Sequence, residues 1–326
     1  MVHTEVAEVV PDVLLTHTAS HSENGVTRPG WFELPGVVRT MVETHAGGRV
    51  VSARSRPFGF SPGVAVHLTL EDRRHLFAKA VRSEPNPDAP TLYRQEIANH
   101  QIIRGLVAPS LSAHFELEDW VVLLFPFVDG AHPNAPPTKA QVEAIVDFIS
   151  AQPAARESLK SVNERFESEL WGWRKLADAR PRGLRPWAVR HARHCAGLEH
   201  HWTEAARGGR VIHADLRSDN IMMSSEGSVF VDWAFASRGH PLFDLVSYLL
   251  SAAAEGYAEA DAALSRTVAR LGWSAEAANV LLTAFTGWYL WLALQPPVAG
   301  IPTLRVFQST MADAGSRWLA QRLGLS

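Results

Sequence analysis

Between residues 49 and 81 the chain alternates. Val64, Val66, Leu68 and Leu70 are separated by Ala65, His67 and Thr69, the two-residue period of a strand with one buried face. Arg49–Arg56 and His75–Val81 read as strands on either side, with turns at Pro57–Gly63 and Glu71–Arg74. Trp120–Phe125 is a further apolar strand, broken by Pro126-Phe127-Val128-Asp129-Gly130. Elsewhere apolar residues recur at three and four. Helices are predicted from Trp31 to about Glu43, within Leu92–His100, and over Thr138–Gln152, Asn163–Ala179 and Trp187–Arg207. Others start near Pro241 and run over about 257–271, 275–295 and 302–323. Strands gather before residue 126 and helices after it, with no internal repeat. The first 29 or so residues, polar and without a period from Thr16 to Thr27, read as an extension.

Composition narrows this. With 326 residues, 46% of them hydrophobic, the chain can build two lobes with cores of their own. A net charge of −3 gives no strongly basic face, which argues against nucleic acid as a partner. Cys195 is the single cysteine, so no intrachain disulfide forms and a reducing, cytoplasmic setting is expected. The start, Met1-Val2-His3-Thr4-Glu5, lacks the basic and apolar regions of a signal peptide. Ala277–Leu304 carries no charge, but Thr283, Thr286 and Gly287 interrupt it and Gln295-Pro296-Pro297 ends the apolar run. It reads as a buried core helix, not a membrane span.

Candidate chemistry concentrates in one stretch. His213-Ala214-Asp215-Leu216-Arg217-Ser218-Asp219-Asn220 has the form H-x-D-x-x-x-x-N. Ile221–Met223 and Val229–Val231 can pair across Ser224–Gly227, and the second strand ends in Asp232-Trp233. Phosphoryl transfer needs a carboxylate beside the attacking hydroxyl and oxygen ligands for Mg²⁺. Asp215 suits the first task, and Asn220 with Asp232 the second; the plain alternative is a polar loop between two core strands. Lys79 sits in an otherwise apolar strand, where it costs desolvation unless paired, and Glu96 follows 17 residues later on a helical segment. An edge-strand lysine in solvent is the alternative. Phe77 shares its face by period two, as a ligand contact or as core. The turn containing Gly59, Ser61 and Gly63 is either a phosphate-covering loop or an ordinary hairpin. His191, His194, Cys195 and Glu199 have a spacing that metal ligands use, but they read as a polar helix face. Phe285, Trp288, Tyr289 and Trp291 read as core.

The H-x-D-x-x-x-x-N frame is that of a protein-kinase catalytic loop. With the D-W hairpin end and Gly239-His240-Pro241-Leu242-Phe243-Asp244-Leu245, the set resembles the aminoglycoside phosphotransferase family. Its members usually show H-G-D-x-x-x-x-N, an I-D-W-like hairpin end and G-D-P-x-x-D-L. Ala214 stands where glycine is usual, and His240 where aspartate is usual. The resemblance covers the chain from about residue 31 and is strongest at 211–245. It implies an α+β, bilobal, protein-kinase-like fold: an extension at 1–30, an N-lobe with a small antiparallel sheet at 31–127, and a mainly helical C-lobe at 128–326. It implies ATP, or another nucleoside triphosphate, and Mg²⁺ used to phosphorylate a hydroxyl of a small molecule. The roles implied are Asp215 as base, Asn220 and Asp232 as metal ligands, and Lys79 as phosphate holder positioned by Glu96. Ser61 lies in the covering turn, Phe77 would cover the adenine, and the backbone at Phe127 and Val128 would meet its edge. Asp244 would brace the catalytic loop.

In this family much of the acceptor pocket comes from the C-terminal helices. After Asp261 only Glu276 and Asp313 are acidic, while Trp273, Phe285, Trp288, Tyr289, Trp291 and Phe307 crowd the same stretch. The expected acceptor therefore carries little or one positive charge and an apolar or aromatic portion, with Asp219, Glu255 and Glu259 left as further acidic candidates. A nucleotide-binding regulator without catalysis would be expected to lack the base or a metal ligand, and all are present. A protein kinase is disfavoured because only a dozen residues separate Asp232 from Asp244.

Overall fold

A computed structural model describes residues 28–56, 59–106 and 108–326. The expected extension, up to residue 27, and Pro57 and Phe58 of the first turn lie outside them.

Helix α1 (Gly36–Ala46) precedes strands β1 (Val50–Ser55), β2 (Val64–Leu70) and β3 (His75–Val81); α2 (Ala89–Ile103), β4 (Ala113–Leu117) and β5 (Trp120–Pro126) follow. The strands form one antiparallel sheet in the order β1-β2-β3-β5-β4. Alternation assigns its faces. Val64, Val66, Leu68, Leu76, Ala78 and Ala80 pack with Val38 and Val42 of α1. Val81, Leu123 and Phe125 pack with Tyr93 and Ile97 of α2, and Phe77 lies against them. Lys79, in register with Ala65 and Leu123, extends on this α2 side.

The helical part holds α3 (Lys139–Ser150), α4 (Val162–Arg165), α5 (Gly172–Ala179), α6 (Pro186–Glu199) and α7 (Trp202–Ala205). Four short strands come next: β6 (Arg210–Ile212), β7 (Ile221–Ser224), β8 (Gly227–Phe230) and β9 (Ser237–Gly239). Then follow α8 (Leu242–Ala254), α9 (Ala260–Leu271), α10 (Ala275–Ala293) and α11 (Leu304–Leu323). One core includes the fully buried rings of Trp173, Trp202, Trp233, Phe243, Tyr248 and Phe285. Among the described residues no helix is long and apolar enough to cross a membrane.

Three predicted helices are interrupted. The stretch from Trp31 is a short 3-10 turn at Trp31–Glu33, and α1 begins only after Pro35, because the residue before a proline is held extended. The helix expected over Asn163–Ala179 is α4 and α5. Phe166, Leu170, Trp173 and Leu176 are all buried at helical spacing across the break, so periodicity could not reveal it. Gly172, which opens α5 after the break, lies against the backbone of Gly287 on α10, where no Cβ would fit. Likewise Trp187–Arg207 divides at His200–His201 into α6 and α7. Edge strand β4 was not predicted; only Phe115 of its five residues is buried, so it carries no clear alternation. The paired strands β6 and β9, three residues each, are too short to show a period.

Candidate active site

A cleft of about 570 Å³ opens where the sheet meets the helical part. Ser61, Phe77, Lys79, Glu96, Phe127 and Val128 all line it, and so do Asn220 and Asp232. Asp215 does not; it joins the lining through Asn220, whose Nδ2 donates to the Asp215 carbonyl at 2.8 Å.

Lys79 is the electrostatic centre. Its Nζ donates to Glu96 Oε2 at 2.6 Å and to Asp232 Oδ1 at 3.0 Å, 4.9 Å from the centre of the Tyr93 ring. Burial alone would favour a neutral amine, but Asp232 and Glu96 outweigh it and hold the pKa above the ordinary lysine value. Asp232, though half-exposed to the cleft, also feels desolvation; Lys79 overcomes it and keeps the carboxyl below its usual range. The edge-strand alternative for Lys79 is thereby excluded: the residue is 7% exposed and doubly paired.

The loop around Asp215 is held from below. Asp244, in the first turn of α8, accepts from the backbone N–H of His213 at 2.7 Å and of Ala214 at 2.8 Å. His213 sits 2.8 Å from the Val231 carbonyl through Nε2, and its Nδ1 lies 3.3 Å from the Asp215 N–H. Those partners fit a neutral ring protonated on Nε2, and burial lowers the His213 pKa accordingly. Ala214 has φ of 63°, a conformation costing a non-glycine residue about 1–2 kcal/mol. The family's usual glycine avoids that cost; here the Asp244 bridge holds the alanine. His240, where the resemblance has an aspartate, accepts through Nδ1 from the Leu242 N–H at 3.1 Å at the start of α8. Burial keeps its pKa low and the nitrogen available as an acceptor.

Burial pushes Asp215 up to about 6; Arg217 opposes this, while Asp219 and Asp232 reinforce it. Its Oδ1 accepts from Arg217 Nη1 at 2.5 Å, and its Oδ2 lies 3.4 Å from Asn220 Nδ2. Because the Asn220 nitrogen is committed to Asp215, the amide oxygen is the end a cation would use. Among the described residues no three or more His, Cys, Asp or Glu side chains cluster to hold a metal, the α6 group included. A carboxylate and an amide at the cleft floor suit Mg²⁺, which takes few protein ligands and completes its shell with water and phosphate oxygens.

Several cleft residues escaped the sequence reading. Arg28 and Arg56 line it, as does Tyr93, whose hydroxyl meets Ser61 Oγ at 2.9 Å. Tyr93 had a signal, being one helical turn before Glu96. Arg28 had none, because it precedes every predicted element. Asn99 and Gln95 of α2 were also missed. They donate to the carbonyls of Trp233 and Ala234, at 2.6–2.9 Å, and so tie the turn after Asp232 to the sheet side.

A family model described as "Phosphotransferase enzyme family" matches residues 59–278. No curated protein matches the chain in sequence. Solved structures do match. A Thermobifida fusca protein assigned as a fructosamine-3-kinase is 19% identical, with a TM-score of 0.57 over 86% of this chain and 98% of that one. The choline kinase LicA of Streptococcus pneumoniae is 13% identical, with 0.57 over 87% and 98%. An aminoglycoside phosphotransferase from Alicyclobacillus acidocaldarius is 15% identical, with 0.52 over 83% and 92%. At these identities the likeness is one of fold.

Proposed function

The chain belongs to the phosphotransferase enzyme family and has its bilobal α+β fold, and from that premise we propose how it phosphorylates a small-molecule hydroxyl and what kind of acceptor it takes. The nucleoside triphosphate is ATP, bound in the 570 Å³ cleft. Lys79 holds its phosphates, with Glu96 fixing the ammonium. Ser61 belongs to the turn above them, Phe77 faces the base, and the backbone at Phe127 and Val128 meets the base's edge. The lobes divide there, 31–127 carrying the nucleotide side and 128–326 the acceptor side.

Asp232 and Asn220 hold Mg²⁺, which supplies charge neutralisation at the phosphates. Asp215 takes the hydroxyl proton as the acceptor oxygen bonds to the γ-phosphorus and the bond to ADP breaks. The observation that carries this reading is the Lys79 bridge: one ammonium spans Glu96 on α2 and Asp232 beyond the hairpin. It brings the carboxylate assigned here to the metal next to the ammonium assigned to the phosphates.

The acceptor carries at most one positive charge near the reacting hydroxyl and has an apolar portion. Of the acidic candidates, Glu255 accepts from the hydroxyls of Ser218 and Ser251, Asp313 pairs with Arg185, and Glu259 lies 3.8 Å from Arg266. The test is transfer from γ-labelled ATP to a panel of neutral alcohols, amino alcohols and kanamycin-like polycations, at low and high salt. Label should move to neutral or singly charged acceptors in a divalent-metal-dependent way. A polycation that wins at low salt and loses its advantage as salt rises would overturn the acceptor assignment.

A further inference from the structure

Beside Asp215 stands a resident cation. Arg217 is largely buried, its side chain 13% exposed. Besides Asp215 Oδ1 it reaches Asp219, with Nε to Oδ1 at 3.0 Å and Nη2 to Oδ2 at 3.2 Å. Its guanidinium carbon lies 5.5 Å from the centre of the Phe60 ring and 5.4 Å from that of Phe307. Those two rings are themselves 4.7 Å apart, and Tyr289 stands edge-on to Phe307 at 6.1 Å. Phe60 comes from the turn before β2, Tyr289 from α10 and Phe307 from α11. Three elements distant in sequence therefore meet around one guanidinium.

We propose that Arg217 is the specificity residue of the acceptor site: its guanidinium fills the place that an ammonium group of an acceptor would take between Asp215 and Asp219. This rests on the acceptor reading above and names the residue that enforces it. Two carboxylates close together would otherwise form a binding site for an amine. With Arg217 between them, an incoming ammonium finds Asp215 and Asp219 already engaged and meets a like charge. The rings at the guanidinium's edge offer apolar surface instead. The site thus selects a hydroxyl flanked by neutral groups, with an apolar portion against Phe60 and Phe307. The same contact occupies Asp215 Oδ1 and leaves Oδ2 as the oxygen for the acceptor proton.

Binding tests this without turnover. Kanamycin is titrated calorimetrically into the full-length wild type and into Arg217→Gln, Arg217→Met and Arg217→Lys, at low and high salt, with Mg·ADP binding as the check of an intact cleft. Wild type and Arg217→Lys should bind kanamycin weakly. Arg217→Gln or Arg217→Met should bind it at least about tenfold more tightly, with the gain shrinking as salt rises. Tight, salt-sensitive binding by the wild type overturns the proposal by itself, even if neither neutral variant folds. So does a neutral variant that keeps Mg·ADP binding without gaining affinity, or that gains equally for a neutral sugar. A merely structural role for Arg217 would lower binding of every ligand alike. Absence of label transfer to any hydroxyl would instead count against the proposed function.

Discussion

At the scale of single residues, the site works by setting charges against burial. Lys79 keeps its charge because two carboxylates flank it; Asp215 is pushed the other way, up to about 6. In the base role proposed for it, a carboxyl with that pKa is ionised at neutral pH and close enough to it to take a proton efficiently. The sign follows: the competent, ionised fraction falls as pH drops through about 6, so kcat/KM should decline about tenfold per pH unit below that point and level off above it. Initial rates across about pH 5 to 8 measure this. In Asp215→Asn, turnover should fall by roughly 10²–10⁴-fold while ATP binding persists. Near-normal turnover in that variant removes Asp215 from the role.

At the scale of elements, buried carboxylates hold together backbone ends that the chain leaves open. Asp244 does so for His213 and Ala214. Glu199, at the end of α6, does so for α5. Its Oε1 accepts from the Trp173 N–H at 2.9 Å and its Oε2 from the Arg174 N–H at 3.0 Å, serving a helix start that has no side-chain cap of its own. Glu199→Ala should lower stability by about 1–3 kcal/mol, read from urea unfolding. Burial pushes Glu199 up to about 7 despite the bonds from Trp173 and Arg174. The folded chain therefore keeps a proton that the unfolded chain releases, and the stability this group contributes declines as pH rises from the ordinary carboxylate range to about 7. Relative to Glu199→Gln, the wild type should lose stability over that window; parallel curves would contradict the assignment.

At the scale of the molecule, the two lobes are tied at points around the cleft. Lys79 bonds Asp232, and Asn99 and Gln95 bond the turn at Trp233–Ala234. Away from these, Gly300 in the α10–α11 connection packs on Pro62 and Pro85, where any larger residue would collide. A ligand that binds across the cleft stabilises both lobes, by about 2.7 kcal/mol at a concentration a hundred times its Kd. The melting temperature should therefore rise with ATP, and rise further when Mg²⁺ accompanies it. In Asp232→Ala the Mg²⁺ increment should vanish. An unchanged increment would mean that the hairpin does not deliver Asp232 to the metal.

The chain's local patterns determined much by themselves. The two-residue period marked β2, the apolar run from His75 to Val81 marked β3, and the same period put Phe77 on the face of Lys79. The H-x-D-x-x-x-x-N spacing and the D-W hairpin end marked the loop, because those residues fall within about twenty of one another along the chain. Period could not find β4, β6 and β9, which are too short or too weakly alternating, nor the break between α4 and α5, where the apolar spacing stays in phase. Gly172, which opens α5, packs on a glycine of α10 more than a hundred residues away. Arg217 shows the same limit most sharply. It was in plain view inside the motif, at a position that carries no requirement. Its meaning comes from Phe60 and Phe307, which only the packing of a turn and a C-terminal helix onto the loop brings within reach. Which groups are charged and near one another along the chain is local information; what each charge faces is decided by contacts between distant elements, and the proposed choice of acceptor rests on those contacts.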